Sequence, residues 1–420
     1  MILYITVAAV TVLLAGMVNN RPLTQPYRTT RQQMCNRVCL LSIFLILFAL
    51  SACRLNVGND YAKYVEFMHL VNCDSYVPTE IGFNLVVKLV YGLSGFENYL
   101  LVFALYAFVT ILLFLLAMYE QSDEFALTFF LFMALGYYFQ TFSTVRYYLA
   151  LAAALFSMKF VLRRQWIRFV LLILLGSTFH KSLLVVIPLY VLAAHAWKKW
   201  QLAMAALFCA TFLFCQDFYL KVVVLLYPTY EDTEYLEGGT SYINILRCFA
   251  VLAFAGIVYF MQRRDRRLPV VDTMRESDKV QGKDGRHGSG EVHGSDEKHE
   301  DGETEIRNAD CVMNLADDRR FWFYFYLNLG ALVLYVFCSF MPIISRIGYY
   351  LTVSHILFLP MLLRQVGSVK WRKLFRLGIL LAAILYFIIY MSRADNDGTL
   401  ILPYQTFFFH DMVNILSDVN

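Results

Sequence analysis

Residues 98–162 read NYLLVFALYAFVTILLFLLAMYEQSDEFALTFFLFMALGYYFQTFSTVRYYLALAAALFSMKFVL, and their reading decides the fold class. Three apolar blocks, 98–119, 125–141 and 145–162, are parted only by short polar breaks. Each is close to the roughly 17–25 residues a helix needs to cross the hydrocarbon of a bilayer. The same texture continues on both sides, with further spans expected at 2–18, 38–53, 167–179, 182–197, 200–216, 242–261, 321–341, 347–363 and 374–391. About twelve transmembrane helices follow. Several are short, which suits a thinned membrane or helices that stop within a cavity. Segment 79–96 carries Glu80 and Lys88 beside an apolar face and reads as a helix lying at the membrane surface. The first span lacks a small-residue cleavage site, so a retained helix is expected rather than a signal peptide.

Composition agrees. Of 420 residues, 59% are hydrophobic and 16% charged, against roughly 25% charged in an average soluble protein. The mean hydropathy is +0.55. These values exclude a soluble globular enzyme, a disordered chain and a disulfide-rich secreted domain. A net charge of +4 is too small to argue for nucleic acid. The nine cysteines are odd in number and mostly fall inside apolar blocks, so they read as small buried hydrophobes, with no zinc site or disulfide framework.

Loop charges set the orientation. One set of loops holds Arg21, Arg28, Arg31, Arg37, Arg163, Arg164, Arg168, Lys198, Lys199, Arg364, Lys370, Arg372, Lys373 and Arg376. The opposite set holds Arg54, Lys63, Lys88, Arg146, Lys181, Lys221, Arg346 and Arg393. Fourteen against eight makes the first set cytoplasmic and leaves both termini outside. Residues 262–320 are highly charged, Gly-rich and poor in aromatics, so a disordered cytoplasmic loop is expected there, with His287, His293 and His299 as solvated side chains. The organisation is therefore a bundle of nine spans plus the surface helix in 1–261, the loop 262–320, and three spans with an outer C-terminal segment in 321–420. No internal repeat is present.

The basic residues on the outer side oppose the topology rule, so each needs its own reason. Arg54 ends the second span, Arg146 opens the fifth, His180 and Lys181 lie between the sixth and seventh, and Arg346 starts the eleventh. A lone outer Arg is explained by snorkelling, since the roughly 3 kcal/mol cost of a mid-membrane Arg shrinks at a span end. Four corners of one bundle, with Asp60 and Glu80 in the same layer, point instead to an outward-facing polar cavity that binds an anion. Forked guanidinium contacts to a lipid diphosphate have that character.

Each residue also has a plainer reading. Asp60, after Gly58-Asn59, can shape a turn. Glu80, after Pro78-Thr79, can favour a helix start. His180 can hydrogen-bond between helices. Tyr61, Tyr64, Tyr147, Tyr148, Tyr349, Tyr350 and Tyr404 can form an interfacial belt rather than stack on sugars. Arg247, within a span, is the weaker candidate among the cations. Segment 217–241, acidic and aromatic with paired Gly, is expected to act as a lid. No Gly-rich phosphate loop, HExxH or GxSxG occurs, so nucleotide-sugar chemistry on the cytoplasmic face is not expected.

Arg54 with Gly58-Asn59-Asp60-Tyr61 and Tyr64, then Glu80-Ile81-Gly82-Phe83, Arg146 with Leu149-Ala150, and Phe179-His180-Lys181-Ser182 with Pro188 together resemble the EpsG-type family of Wzy-like exopolysaccharide polymerases. The resemblance covers residues 1–260 and 321–410. The chain departs from it in the longer 262–320 insert and in Tyr147, where Gln is more usual. The resemblance implies an all-α, GT-C/Wzy-like membrane glycosyltransferase of the bacterial inner membrane, with both termini periplasmic. It implies a donor glycan on undecaprenyl diphosphate, a sugar hydroxyl of another lipid-linked unit as acceptor, and no metal or other cofactor. Membrane lipid and chain-length regulators or other assembly proteins would be its partners.

On that reading Arg54, Arg146 and Arg346 hold diphosphate, and His180 or Asp60 is the base. Glu80 and Lys181 orient acceptor or base, and Tyr61 and Tyr350 contact substrate. The leaving diphosphate gathers negative charge, which preorganised guanidinium groups stabilise, while the attacking hydroxyl must lose a proton. A flippase or exporter of lipid-linked glycans would place its charges nearer the midplane. A glycan acyltransferase would need polar groups deep on the cytoplasmic side. Neither pattern is seen in the sequence.

Overall fold

A computed structural model of the chain describes residues 1–19, 31–215, 218–219, 221, 241–265, 318–339, 344–395 and 399–410. Within them the protein is helical, and the β-type pairing is an isolated antiparallel bridge between Arg54 and Thr406. Helix is what lipid demands, because each backbone N–H and C=O must find its partner inside the segment. In chain order the helices are α1 (Ile2–Gly16), α2 (Arg31–Ala52), α3 (Tyr61–Asn72), α4 (Ile81–Ser94), α5 (Tyr99–Gln121), α6 (Phe125–Ala134) and α7 (Tyr137–Gln140). There follow α8 (Val145–Leu162), α9 (Trp166–Ser177), a 3₁₀ turn at Lys181–Val185, α10 (Val186–Ala194), α11 (Lys199–Phe214), α12 (Tyr242–Asp265), α13 (Arg319–Phe337), α14 (Ile344–Thr352), α15 (His355–Arg364) and α16 (Val369–Met391).

Every predicted apolar span is occupied by helix. Seven stretches among the described residues are long and apolar enough to cross a membrane: α2, α5, α8, α12, α13, the α14–α15 pair and α16. The chain is therefore a multi-pass membrane protein. The remaining spans, including α1, α6, α9 and the 181–194 pair, fall short of that length. Breaks account for part of the shortfall: Gly136, at φ +78°, ends the 125–141 span early and starts α7 as a separate turn. The expected loop 262–320 is shorter at both ends, since α12 runs on to Asp265 and α13 starts at Arg319. Its middle, the three loop histidines and most of the expected 217–241 lid lie outside the described residues.

Two apolar cores organise the chain. The larger gathers residues from α1, α2, α5 through α10 and α12 through α16, so the stretches 1–261 and 321–420 share one interior. At its centre lies α8, where Ala150, Ala152, Ala153 and Ala154 are all buried; small side chains let membrane helices approach closely. The smaller core is a cap built from α3, α4 and the first turns of α5, with Val145 and Leu149 of α8. Helix α4 buries Phe83, Val87, Val90 and Tyr91 in that cap. Its opposite stripe, Ile81, Leu85, Leu89 and Leu93, repeats every four residues and is exposed. An apolar outer stripe on a short helix fits the expected surface position.

The charges separate to the two ends of the bundle. At one end the acidic break after α5 receives basic partners from distant helices. Asp123 takes both Arg320 nitrogens at 3.2 Å, Glu120 takes Lys159 Nζ at 2.7 Å and Glu124 takes Arg376 at 2.6 Å. At the other end lie Arg54, Asp60, Glu80, Arg146, His180 and Arg346, where the cap meets the bundle. The N-terminus is at this second end, since the Tyr4 hydroxyl donates to the Ile401 carbonyl at 2.7 Å.

Candidate functional site

Glu80 is the hub of the seam between cap and bundle. It stands at the residue before α4, in extended conformation, and its side chain does not cap its own helix. It reaches across instead. Arg146 Nη1, from the first turn of α8, donates to Glu80 Oε2 in a short ion pair. The Lys181 backbone N–H donates to Oε1 at 3.1 Å, and His180 Nδ1 lies 3.6 Å from the same oxygen. That last separation is too long for a hydrogen bond.

The backbone makes this crossing possible. The Gly82 N–H donates to the Thr178 carbonyl at 2.8 Å. A Cβ on Gly82 would sit 2.8 Å from that carbonyl oxygen, so only glycine lets α4 close onto the turn that carries His180. The Arg146 guanidinium also lies over the rings of Tyr64 and Phe83, at 5.5 and 5.3 Å, a cation–π arrangement that holds its plane.

A tyrosine layer links this hub to α14. The Tyr147 ring meets His180 edge-on at 5.6 Å and packs 5.3 Å from Tyr350. The Tyr147 hydroxyl donates to the Arg346 carbonyl at 2.6 Å, and Tyr350 shares a 2.9 Å hydrogen bond with Ser182. Beside this layer lies a polar cavity of about 390 Å³, lined by Asn59, Gln140, Ser143, Thr144, Tyr147, Tyr148, Arg346, Tyr349, Tyr390 and Thr399. The Arg346 side chain is exposed at the cavity. Asp60, one residue after Asn59, is half-buried. Burial pushes its carboxyl up, and the charges of Lys63, Arg346 and Arg146 oppose that shift.

The structure thus brings Arg146, Glu80, His180, Lys181, Tyr350, Asp60 and Arg346 into one region. Arg54 and Tyr61 do not join them. Arg54 is 1% exposed. Its Nη1 donates to the Ser51 carbonyl at 3.0 Å and to Ser51 Oγ at 2.8 Å, and its guanidinium lies over Phe142 and Phe103 at 5.0 and 5.3 Å. The strand-like pairing of residues 53–58 with 400–407 covers it: Leu55 N–H donates to Gln405 at 3.0 Å and Gly58 N–H to Leu400 at 2.8 Å. Tyr61 stacks on Phe103 at 4.5 Å inside the cap and is fully buried. Both belong to the joint that fastens the cap. The reason is long-range: the covering segment lies some 350 residues along the chain, beyond any local pattern.

Sequence reasoning named Tyr147 only among the interfacial tyrosines and Ser182 only within the family motif, without a place in the site, and it missed Gln140, for which no local signal exists.

The electrostatics assign roles. Burial by itself would raise the Glu80 carboxyl, but His180, the Arg146 charge and the Lys181 N–H together pull it down to about 2 from an ordinary 4.5. Glu80 therefore stays ionised at neutral pH. His180 keeps two buried ring nitrogens without hydrogen-bond partners. Nδ1 faces the Glu80 carboxylate, which leaves Nε2 on the far side of the ring. Among the described residues no group of three or more His, Cys, Asp and Glu side chains is placed to hold a metal ion.

A consequence concerns pH. Because the folded-state value of Glu80 is depressed, its stabilising contribution is complete above about pH 4.5 and disappears as pH falls through about 2. Glu80→Gln is therefore expected to lower the thermal midpoint of the detergent-solubilised protein at neutral pH. The gap to wild type should narrow as the pH approaches 2. A gap that stays constant over that range would remove the ion pair as its cause.

A family model for the EpsG family matches residues 37–272 and 311–406. No curated protein and no solved structure matches the chain.

Proposed function

This chain belongs to the EpsG family, and from that membership we propose that it is a membrane glycosyltransferase of polysaccharide assembly. In this reading it joins lipid-diphosphate-linked oligosaccharide units into a longer chain, as an exopolysaccharide-related polymerase. We take the end of the bundle that bears Glu80, Arg146, His180 and Arg346 as the extracytoplasmic end, following the bias of loop charges. The membrane would be the bacterial inner membrane, crossed about twelve times, with undecaprenyl diphosphate as the carrier.

The observation that carries the proposal is the seam itself. An imidazole, an ionised carboxylate facing it and two arginines converge from four separate stretches of the chain, with Arg346 among them lining a polar cavity. The reaction needs those parts. An acceptor sugar hydroxyl attacks the anomeric carbon of the donor sugar, and the bond from that carbon to the diphosphate oxygen breaks. The hydroxyl proton passes to His180 Nε2, with the Glu80 carboxylate facing Nδ1 and holding the ring. The lipid diphosphate leaves with the bonding pair, and Arg346, exposed at the cavity, offers a forked donor set to it. Arg146 is committed to Glu80 and secures the base. Asp60, beside the cavity wall, is the rival base. Tyr147, Tyr148 and Tyr349 line the cavity and offer the wall against which a sugar packs, while Tyr350, fully buried, backs Tyr147 from behind instead of contacting substrate.

Reconstitution into proteoliposomes with purified lipid-linked repeat units tests this directly. Wild type is expected to produce a ladder of products longer than one unit, and His180→Ala to stop it. If wild type with intact substrate yields only single units, the proposal fails. If Asp60→Asn stops the ladder while His180→Ala does not, Asp60 is the base.

A further inference from the structure

A second hollow, of about 630 Å³, opens between α12, α15 and α16. Its wall is almost entirely hydrocarbon, including Leu246, Val251, Phe254, Leu359, Phe375 and Ile379. Ile243 and Phe254 both line it; on one helix that spacing spans about 16 Å. Leu246 and Leu374 at its margin are 67% and 55% exposed, so the hollow is a groove open to the side where lipid would lie.

Two nitrogen-bearing side chains interrupt this lining. Arg247 Nη2 donates to Thr352 Oγ1 at 3.1 Å, and the guanidinium lies 5.8 Å from the Tyr349 ring centroid. Its buried Nε and Nη1 have no partner. His355, from the first position of α15, is 1% exposed and has no partner on either ring nitrogen. Unsatisfied buried donors are costly unless a ligand or water meets them. Tyr349 borders the polar cavity on its other side, together with Arg346. One tyrosine thus stands between Arg247 and the cavity in which the reaction is placed.

A hydrocarbon groove that ends at a cation, next to a polar cavity, is complementary to an anionic amphiphile with a long tail. We infer that this groove seats the hydrocarbon chain of the polyprenyl diphosphate, with Arg247 meeting its phosphate end. The inference rests on the reading that the substrate is lipid-linked. It adds where the tail lies and which cation, outside the Glu80 hub, the headgroup meets.

The test uses the full chain in nanodiscs and a polyprenyl diphosphate carrying a diazirine in its tail. After irradiation, peptide mapping is expected to find the label on α12 and α16. Gly378 borders the groove and a Cβ there meets no atom within 4 Å, so Gly378→Phe has open space at its first carbon and sets a ring at the groove, with an unchanged thermal midpoint showing that the fold is kept. It is expected to cut labelling about tenfold, as is Arg247→Gln through loss of a charge-assisted contact. Gly378→Ala is expected to label like wild type, and a tenfold excess of phosphatidylglycerol to leave labelling intact.

Label on other helices overturns the inference, as does unchanged labelling in both Gly378→Phe and Arg247→Gln. Equal displacement by phosphatidylglycerol makes the groove a general lipid site and also overturns it. Groove labelling in a wild-type protein that makes no polymer would sink the polymerase reading and leave the groove standing. Polymer made with the label elsewhere would do the reverse.

Discussion

Arg146→Ala is expected to slow polymer formation by roughly 10²–10³-fold, within the range lost when a general base is no longer held in place. Arg146 Nη1 pairs with Glu80, and the side chains of both are about 15% exposed, so its removal leaves a largely buried carboxylate without its arginine. Glu80 then has less reason to hold its place, and His180, 3.6 Å from it, loses its orientation. The same loss costs stability, since unpairing a buried ion is expensive.

Rate and stability can be separated. The double variant Arg146→Ala, Glu80→Gln removes the orphaned charge, so it should regain much of the thermal midpoint while staying slow. Arg146→Lys keeps a charge but not the planar group that lies over Tyr64 and Phe83, so an intermediate rate is expected. Initial rates with lipid-linked units in proteoliposomes, read beside unfolding midpoints, decide the matter. A double variant that recovers rate along with stability would show that Arg146 serves folding alone.

The second large effect is structural. Gly58 has φ +108°, and a Cβ there would overlap the Phe142 carbonyl. Its N–H donates to the Leu400 carbonyl at 2.8 Å, so it is gripped between the α7–α8 turn and the C-terminal segment. Gly58→Ala combines a left-handed backbone that alanine resists with a collision against main chain. A loss of roughly 3 kcal/mol is expected. The displaced segment carries Asn59 of the cavity wall and Asp60, so activity should fall with stability. Gly92→Ala is the control, because a Cβ at Gly92 meets nothing within 4 Å and alanine suits a helix interior better. Equal thermal midpoints for Gly58→Ala and wild type would contradict the geometry.

Much of the site was legible before any coordinates. Glu80, Arg146, His180 and Arg346 each stood out because a charge at the outer end of an apolar span is expensive and needs a reason. That argument locates residues but cannot pair them. It grouped Arg54 with the others, although Arg54 sits under the segment 400–407 with aromatic rings for company. It ranked Arg247 low, although two of its buried nitrogens are unpartnered beside a lipid-facing groove. Charge at a span end looks the same in sequence whether it is solvated, paired or boxed in by rings.

The amino-acid order alone determined that this chain is helical and lies in a membrane. Hydrocarbon leaves no other way to satisfy the backbone, and the run of apolar residues states how long each helix can be. It also determined which helix ends share a side, through the bias of Lys and Arg. The packing of α4 onto the 178–181 turn and the closing of 53–58 against 400–407 were decided only in three dimensions. Each depends on a few close backbone approaches between residues far apart in the chain, and such approaches leave no periodic trace in the sequence.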